Sequence, residues 1–246
     1  MNKYRADLHI HTLLSPCASL EMTPRTIVEK AKTGGLQIIG ITDHNSTKHA
    51  LLVQKLAAKE GIFTLTGAEV TTKEEVHCLV FFEFPEELAQ FQQFINENLT
   101  RIPNSEEYYG YQPVIDEDEN ILEMVPWYLP AALKVGIEKI QEWVYELNGL
   151  FIPAHIDRSV NGILSQLGFV PPSLKYHALG LSRHGSKKHV LKQYVIQNKT
   201  TFIRNSDAHY PEQIGEIYTV FNLEEISFSE IKKALNQEDN RFCELP

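Results

Sequence analysis

The chain has 246 residues, of which 43% are hydrophobic and 22% are charged. These proportions are close to those of average globular proteins, and they argue against long disordered or fibrous segments. The formal net charge of −9 leads us to exclude long duplex nucleic acid as a partner, because the surface as a whole repels polyphosphate chains. A small phosphorylated molecule or a nucleotide end stays possible, since divalent cations can reverse the local charge of a site.

No apolar run approaches the ~20 residues of a membrane helix, and the first residues do not have the pattern of a signal peptide. We therefore expect a cytoplasmic protein with no membrane partner, and the oligomeric state is left open. The three cysteines are too few and too scattered for a disulfide framework, so we expect free thiols.

In chain order, the first 82 residues alternate between strand and helix patterns. The run ADLHIHT predicts a strand, after which Thr23 and Pro24 begin a helix that continues to about Lys32. QIIGITDH predicts a second strand, followed by a helix from about Thr47 to Glu60, and FTLTGAEVTT and EVHCLVFF predict two more strands. This alternation is typical of an α/β fold in which parallel strands carry helices on the outside.

LFIPAHI, ALGLSR and TFIRNSDAH predict further strands in the second half. Between the two halves, residues 85–148 break the rhythm, and we interpret them as an insertion in a single domain that spans 1–246. Tyr108, Tyr109 and Tyr111 of this segment could form a lid over a site. They could equally belong to a solvated loop with a few packed aromatic rings.

Histidines and acids stand at or near the C-terminal ends of the predicted strands, where βα barrels place their active sites. His9 and His11 are two residues apart on one strand, so both imidazoles face the same side. Asp207 and His209 repeat this spacing near the other end of the chain, and closure of a barrel would bring the two pairs together. The remaining candidates are His44, Glu69, His77 and His155.

Each of these histidines alone would more often be a hydrogen-bonded structural residue. Imidazole and carboxylate groups gathered on one rim are instead typical ligands of Zn, Fe and Mn. In chain order, the motifs DLHIHT, ITDH, TGAE, a His in the next strand, PAH and SDAH resemble those of the polymerase and histidinol phosphatase (PHP) family. The resemblance covers about residues 5–210, apart from the insertion.

This resemblance implies a distorted (βα)7 barrel that binds two or three divalent ions, either Zn, Fe or Mn, and hydrolyses phosphate esters. It also implies a distribution of ligands among the ions. The first ion would be held by His9, His11, Glu69 and Asp207. The second ion would share Glu69 and would add His77 and His155.

A third ion would be held by His44 and His209. In the family its remaining ligand is usually a His or Asp after the first motif, but here the segment reads LLSPCAS, with Cys17 in that place. A thiolate is a competent ligand for Zn or Fe and is less suited to Mn. The alternative is that Cys17 is a small buried residue beside a two-metal site.

Several ions close together can lower the pKa of a bridging water and hold phosphoryl oxygens, so no protein nucleophile is required. We assign direct parts in catalysis to Glu69, Asp207 and His209. Side chains that follow strands at the rim could bind phosphate oxygens, although surface salt bridges are the alternative for the arginines. These candidate substrate contacts are Arg158, Arg183 and His184.

Other polar residues near these motifs are expected to have lesser roles. Asp7 and Asp43 should orient or support neighbouring groups, since Asp43 points to the strand face opposite His44. His49 and His177 are expected to have no part in the site. Residues 187–189 should form the exposed start of a helix.

The predicted function is hydrolysis of a phosphate ester in a small metabolite or nucleotide. Two alternatives stay open: an exonuclease that acts on short nucleic-acid ends, and a non-catalytic metal-binding module that regulates a partner. The nearly complete ligand set argues against the regulatory module, because such a module is free to lose ligands.

Overall fold

The computed structural model describes residues 1–197 and 199–246. The first part of the chain alternates strands and helices, as predicted. Its elements are β1 (Asn2–Ile10), α1 (Pro24–Thr33), β2 (Ile38–Ile41), α2 (Ala50–Lys59), β3 (Phe63–Thr71) and β4 (His77–Phe82).

Helix α1 illustrates how local sequence sets these boundaries. The hydroxyl of Thr23 accepts a hydrogen bond from the backbone N–H of Thr26, and Pro24 occupies the first helical position, where its missing N–H costs nothing. At the other end, the N–H of Gly34 donates to the carbonyl of Lys30, and Gly35 takes a positive φ of 67°. The predicted helix is therefore confirmed.

The central segment, predicted as an insertion, contains both helices and a small hairpin. Its elements are α3 (Pro85–Asn98), α4 (Glu106–Tyr109), β5 (Pro113–Ile115), β6 (Ile121–Met124) and α5 (Ile137–Glu146). β5 and β6 pair antiparallel in a sheet of their own. Phe91 of α3 and Val144 of α5 belong to the same hydrophobic cluster as Ile10, so both helices pack on the main core.

The last part of the chain contains the three later strands that the sequence predicted, and further elements that it did not. The elements are β7 (Leu150–Pro153), α6 (Ile163–Gln166), β8 (Leu179–Leu181), α7 (Lys187–Gln193), β9 (Phe202–Arg204), a 3-10 turn (Pro211–Gln213), β10 (Thr219–Leu223), α8 (Phe228–Asn236) and β11 (Phe242–Glu244). Residues 187–189 form the exposed start of α7, as expected.

The main sheet has seven strands in the order β11-β10-β1-β2-β3-β4-β7. β1, β2 and β3 are parallel, whereas β4 is antiparallel to both β3 and β7. β8 and β9 form a separate parallel pair. The predicted α/β fold is confirmed, but β3 and β4 form a hairpin where regular βα alternation would place a helix.

Backbone hydrogen bonds join the β8–β9 pair to both sides of the main sheet. On one side, the N–H of Ile156, just after β7, donates to the carbonyl of Gly180. On the other side, the N–H of His11 donates to the carbonyl of Ala208, just after β9. These links bring the ends of β1, β7 and β9 close together, and the candidate ligands lie at these ends.

The two faces of the sheet bury separate hydrophobic clusters, as period-two alternation requires. In β4, Cys78 and Val80 pack into the cluster that includes α1, α2, α3 and α5, whereas Leu79 and Phe81 pack into the cluster that includes α8. His77 follows the alternation of Leu79 and Phe81. In the described part of the chain, no helix has the length and apolar character needed to cross a bilayer.

Candidate metal centre

The carboxylate of Glu69 lies at the centre of the candidate site. Glu69 is only 1% exposed, and its register opposite Leu79 in the β3–β4 hairpin places it on the same face of the sheet as Leu79. Five imidazole rings approach it, each with a nitrogen within 3.4 Å of one of its oxygens. They are His9 (3.2 Å), His11 (3.4 Å), His44 (3.2 Å), His77 (3.0 Å) and His155 (3.0 Å).

The pair on β1 and the pair after β9 meet in space, as their shared spacing suggested. The Nε2 atoms of His9 and His11 are 3.1 Å apart, so both rings face the same side. Oδ1 of Asp207 lies 3.3 Å from His9 Nε2 and 3.4 Å from His11 Nε2. The ring of His209 is 4.3 Å from that of His11, measured between centroids.

Within the described residues, three sets of side chains have ligand atoms close enough to share an ion, all within 4.8 Å of one another. One set is identical to the ligands that the family resemblance implies for the first ion. The other two regroup the predicted residues. The sets are His9, His11, Glu69 and Asp207; His44, Glu69 and His77; and His11, His44 and His209.

Two of the predicted ligands stand outside these sets. His155 contacts Glu69 through Nε2 and has a positive φ of 28°. Cys17 is exposed and lines the same cavity as His44 and His209. Its role as a ligand stays a prediction.

Electrostatics favours positive charge at this centre. Burial alone would raise the pKa of Glu69, but His77 and His9 hold it well below its usual value. For Asp207 the balance is the same, with His9 and His11 as the opposing groups. Burial disfavours charge on His11 as well, yet the two carboxylates raise its pKa to about 10. Two ionised carboxylates at the bottom of a buried site attract cations.

Other histidines of the cluster are held in the neutral form. Burial, followed by the charge of His11, lowers the pKa of His44 well below its usual value and that of His209 to about 4. A neutral imidazole keeps the lone pair that a metal ligand needs. Nδ1 of His44 and Nδ1 of His77 are buried and lie within 3.2 Å of a Glu69 oxygen, yet neither makes a hydrogen bond with any described residue. These orphaned nitrogens fit divalent ions, which would accept the free lone pairs.

Hydrogen bonds from outside the cluster orient its members. Asp43 accepts from the hydroxyl of Ser15 at 2.7 Å, and Oγ of Ser15 lies 3.1 Å from Nδ1 of His11. Asp7 accepts from the backbone N–H groups of Ser206 and Gly215, which lie on either side of Asp207 in the chain. Burial raises the pKa of Asp7 to about 6. These contacts agree with the supporting roles expected for Asp7 and Asp43.

A cavity of about 540 Å³ opens onto the cluster. The candidate ligands form one wall, and the central segment forms the other. Tyr128 of this second wall stacks on Tyr109 with ring centroids 4.2 Å apart, whereas Tyr108 is 80% exposed. Tyr128 was not among the residues predicted, since nothing in its local sequence sets it apart. The second wall consists of Thr100, Ile102, Tyr128 and residues 130–132.

A second cavity, of about 340 Å³, lies on the other side of the cluster. All three candidate substrate contacts line it, and Arg158 and Asp207 border both cavities. Arg158 also pairs with Oδ2 of Asp207 at 2.8 Å, and Arg183 pairs with Glu216. His184 is exposed at the rim. The two arginines thus combine the rim position with the salt bridges that were considered as the alternative.

Comparison with known proteins matches the chain to two family models. The family model for the PHP domain matches residues 7–151, and a model described as PHP-associated matches residues 192–239. An uncharacterized relative, YqxK of Bacillus subtilis (strain 168), is 25% identical over 281 residues. That match covers 98% of this chain and 64% of the relative.

Solved structures with the same fold include two of endonuclease Q. The lesion-specific enzyme from Pyrococcus furiosus has a TM-score of 0.74 at 21% identity. Endonuclease Q in complex with a 27-mer duplex, which has an abasic lesion at the active site, has a TM-score of 0.72 at 22% identity. Both matches cover 98% of this chain and 58% of the other, so this chain spans about three fifths of endonuclease Q.

A third structure is that of a Bifidobacterium adolescentis protein proposed to be a metal-dependent phosphoesterase. It has a TM-score of 0.58 at 16% identity, and the match covers 95% of this chain and 96% of the other. At these levels of identity, the structural matches establish the fold alone.

The prediction that long duplex nucleic acid is excluded is wrong, because a chain with this fold holds a 27-mer duplex in a solved complex. Net charge is a sum over the whole surface, whereas binding of a strand depends on the electrostatic potential at the binding site. Cations and arginines at a site can dominate that potential. The match to the PHP model covers more than half of the chain and contains most of the clustered histidines. The chain therefore belongs to the PHP domain family of metal-dependent phosphoesterases.

Proposed function

We propose that this chain hydrolyses phosphate esters at the cluster around Glu69, with two or three divalent ions, Zn, Fe or Mn, as cofactors. The observation that carries the proposal is the approach of five imidazole nitrogens to one buried carboxylate. When bound, the ions supply Lewis acidity that activates water and holds phosphoryl oxygens. No protein nucleophile is needed in this chemistry.

We assign the ligands as the family resemblance implies, since the distances support most of that arrangement. The first ion takes His9, His11, Glu69 and Asp207. The second takes Glu69, His77 and His155. The third takes His44, His209 and Cys17, and His11 is an alternative ligand because it lies in one set with His44 and His209.

The remaining proposals concern the protein's own groups. Glu69 and Asp207 supply the negative charge that holds the ions. The Nδ1–H of His209 donates to the backbone carbonyl of Asp207 at 2.9 Å, which leaves Nε2 free for the site. Arg158, Arg183 and His184 bind phosphate oxygens at the second cavity. The main sheet and the β8–β9 pair together form a distorted (βα)7 barrel in a single domain, 1–246, with 85–148 as the insertion.

The direct test is hydrolysis of p-nitrophenyl phosphate before and after chelation. We expect a chelator to abolish turnover and added Mn, Zn or Fe to restore it, because the water must be activated by a cation. If no divalent ion restores activity, the chelated protein has either unfolded or lacks the proposed chemistry. Circular dichroism of the chelated sample shows whether it is still folded. Full activity after complete removal of metal would contradict the proposal.

The substrate is, in the first proposal, a phosphate ester of a small metabolite or nucleotide. The second cavity favours another candidate, a phosphodiester such as a nucleic-acid strand. The two cavities meet at Asp207 and Arg158, so an ester at the metal centre could place one organic arm in each. A monoester has one arm and would leave one cavity to water.

Paired substrates separate these candidates. A preference for bis(p-nitrophenyl) phosphate over p-nitrophenyl phosphate would support the diester, and the reverse preference would support the monoester. Oligonucleotides, including a duplex with an abasic site and the matched undamaged duplex, then test whether a diester substrate is nucleic acid. Endonuclease Q gives the reason to include the damaged duplex. Absence of turnover with every ester would favour the non-catalytic module.

A further inference from the structure

His49 was expected to have no part in the site, yet both of its ring nitrogens are engaged in buried hydrogen bonds. The residue is 1% exposed and directly precedes α2. Its Nε2 lies 2.9 Å from the backbone N–H of Ile115, on β5 of the central segment. Its Nδ1 lies 2.7 Å from the hydroxyl oxygen of Thr12, the residue after His11. His49 therefore lies between the central segment and the metal centre.

The partners of His49 determine where its proton lies. The backbone N–H of Ile115 can only donate, so Nε2 must be the acceptor. Burial lowers the pKa of His49, which favours the neutral ring with its single proton on Nδ1. That Nδ1–H donates to the oxygen of Thr12. The oxygen also accepts the N–H of Leu14 at 3.1 Å, so its two lone pairs are filled.

The same reasoning extends to the metal centre. The hydroxyl of Thr12 donates to Oδ2 of Asp43 at 2.7 Å, and the hydroxyl of Ser15 donates to Oδ1 at 2.7 Å. The only hydroxyl proton of Ser15 is thus committed to Asp43. The oxygen of Ser15 must then accept a proton from Nδ1 of His11, 3.1 Å away. With the proton of Nδ1 committed in this way, Nε2, 3.4 Å from Glu69, is the nitrogen that gives up its proton when a metal ion binds.

We propose that His49 is a positioning residue that fixes the orientation and tautomer of His11 and couples the central segment to metal binding. The inference rests on the proposed function, because it takes His11 to be a metal ligand. Thr12, Asp43 and Ser15 form the path on one side of His49, and the backbone of Ile115 is held on the other. Direct hydrogen-bond partners of metal-ligating histidines, here Ser15, commonly influence metal affinity, and His49 acts on Ser15 through Thr12 and Asp43.

The first test compares His49→Ala with His177→Ala by titrating the full chain with Mn²⁺ against a competing chelator. His177 is a matched control, since it too is buried and accepts a backbone N–H, that of Phe151 at 3.1 Å, but it lies outside the path. Both variants should unfold at a lower temperature. We expect only His49→Ala to bind Mn²⁺ more weakly, by roughly 10-fold, the lower end of the effect of a direct partner, because three groups separate His49 from His11.

A second pair of variants separates the two nitrogens and also tolerates failure of His49→Ala to fold. His49→Asn retains a donor near the position of Nδ1, and His49→Gln retains an acceptor near the position of Nε2. We expect His49→Asn to keep most of the metal affinity while hydrogen exchange of the Ile115 amide becomes faster. His49→Gln should show the opposite result, with slow exchange at Ile115 and weakened binding.

The outcomes distinguish this inference from the proposed function. A wild-type chain that binds no ion would refute the metal centre itself. Binding in the wild type with unchanged affinity in His49→Ala or His49→Gln would overturn only the role of His49. An equal loss of affinity in His177→Ala would also overturn it, because the effect would then reflect stability alone.

Discussion

The two walls of the larger cavity are built by different physical means. One wall carries the candidate ligands Glu69 of β3 and His77 of β4, where strand alternation and sheet register fix the direction of each side chain. The other wall, part of the central segment, is held by hydrogen bonds from the amide of Asn45 to the carbonyls of Leu129 (2.6 Å) and Ala131 (2.9 Å). The ligand wall is buried and highly charged, whereas the second wall is irregular and partly exposed.

This difference indicates a division of labour. Regular strands hold ligand atoms to within a few tenths of an ångström, which the chemical step requires. A loop held by a few side-chain contacts can change its sequence without disturbing the strands. We therefore expect substitutions in the ligand wall to change kcat and those in the second wall to change KM.

The largest expected effect is that of Glu69→Gln in the ligand wall. The substitution keeps the shape of the side chain and removes the charge that five imidazoles surround, so kcat should fall by several orders of magnitude. Glu83→Gln, at an exposed glutamate just beyond the opposite end of β4, is the control and should turn over normally. Ordinary turnover by Glu69→Gln would show that the ligand wall has been assigned wrongly.

His177 is buried outside both walls, so its titration should affect the stability of the fold and not the activity. Burial, with a smaller effect of Lys232, lowers the pKa of His177 to about 4. The unfolded chain binds a proton at this residue below about pH 6.5, and the folded chain binds it only near pH 4. Stability should therefore fall as the pH is lowered through this window, by about 3 kcal/mol in total.

Urea unfolding of the wild type and of His177→Gln at several pH values between 7 and 4 measures this contribution as a difference. Because the substitution removes the titrating group, the gap in unfolding free energy between the two proteins should shrink as the pH falls. A gap that stays constant with pH would show that His177 does not titrate on unfolding.

Cys17 lies beside the ligand wall and gives a smaller, more specific effect. If its thiolate completes the third ion site, Cys17→Ser should lose about one ion per chain or bind it far more weakly, while the ions at Glu69 remain. Cys243→Ser, in β11 and outside both cavities, is the control. Metal content measured by mass spectrometry decides the matter, and equal content in wild type and Cys17→Ser would show that Cys17 is an exposed residue of the cavity with no role as a ligand.

The smallest expected effect belongs to the second wall. Tyr128→Ala should raise KM a few-fold and leave kcat nearly unchanged, because the ring lines the cavity as part of the wall formed by the central segment. Tyr108→Ala removes a ring that is 80% exposed and should alter neither constant. A large fall in kcat for Tyr128→Ala would contradict the proposal that the ligand wall determines kcat and the second wall determines KM.

Sequence patterns predicted the cluster of candidate ligands well and the second wall poorly, for a physical reason. Strand alternation is a local property, so the facing of His9 and His11 follows from their spacing alone. The hairpin between β3 and β4 was not predicted, since periodicity identifies a strand without giving its partner. Tyr128 and His49 were missed because their importance depends on contacts with residues distant in the chain, such as that between His49 and Ile115.

The last elements of the chain show the same limit. β10, α8 and β11 were not predicted, although β10 pairs along five residues of β1. The net charge misled for a related reason, since a whole-chain sum contains no information about position. Ligand pairs that are close in the sequence could be predicted from it, whereas strand partners and binding surfaces could be found only in the folded structure.

The backbone at two candidate ligands bears on how this protein could be engineered. His155 and Asp207 have positive φ values of 28° and 52°, a conformation that glycine adopts more easily than any other residue. Glycine at either position would relieve backbone strain while it removed a candidate ligand. Selection for thermal stability alone would therefore favour glycine at these positions and remove the candidate metal centre. A screen for more stable variants must select for activity in the same round.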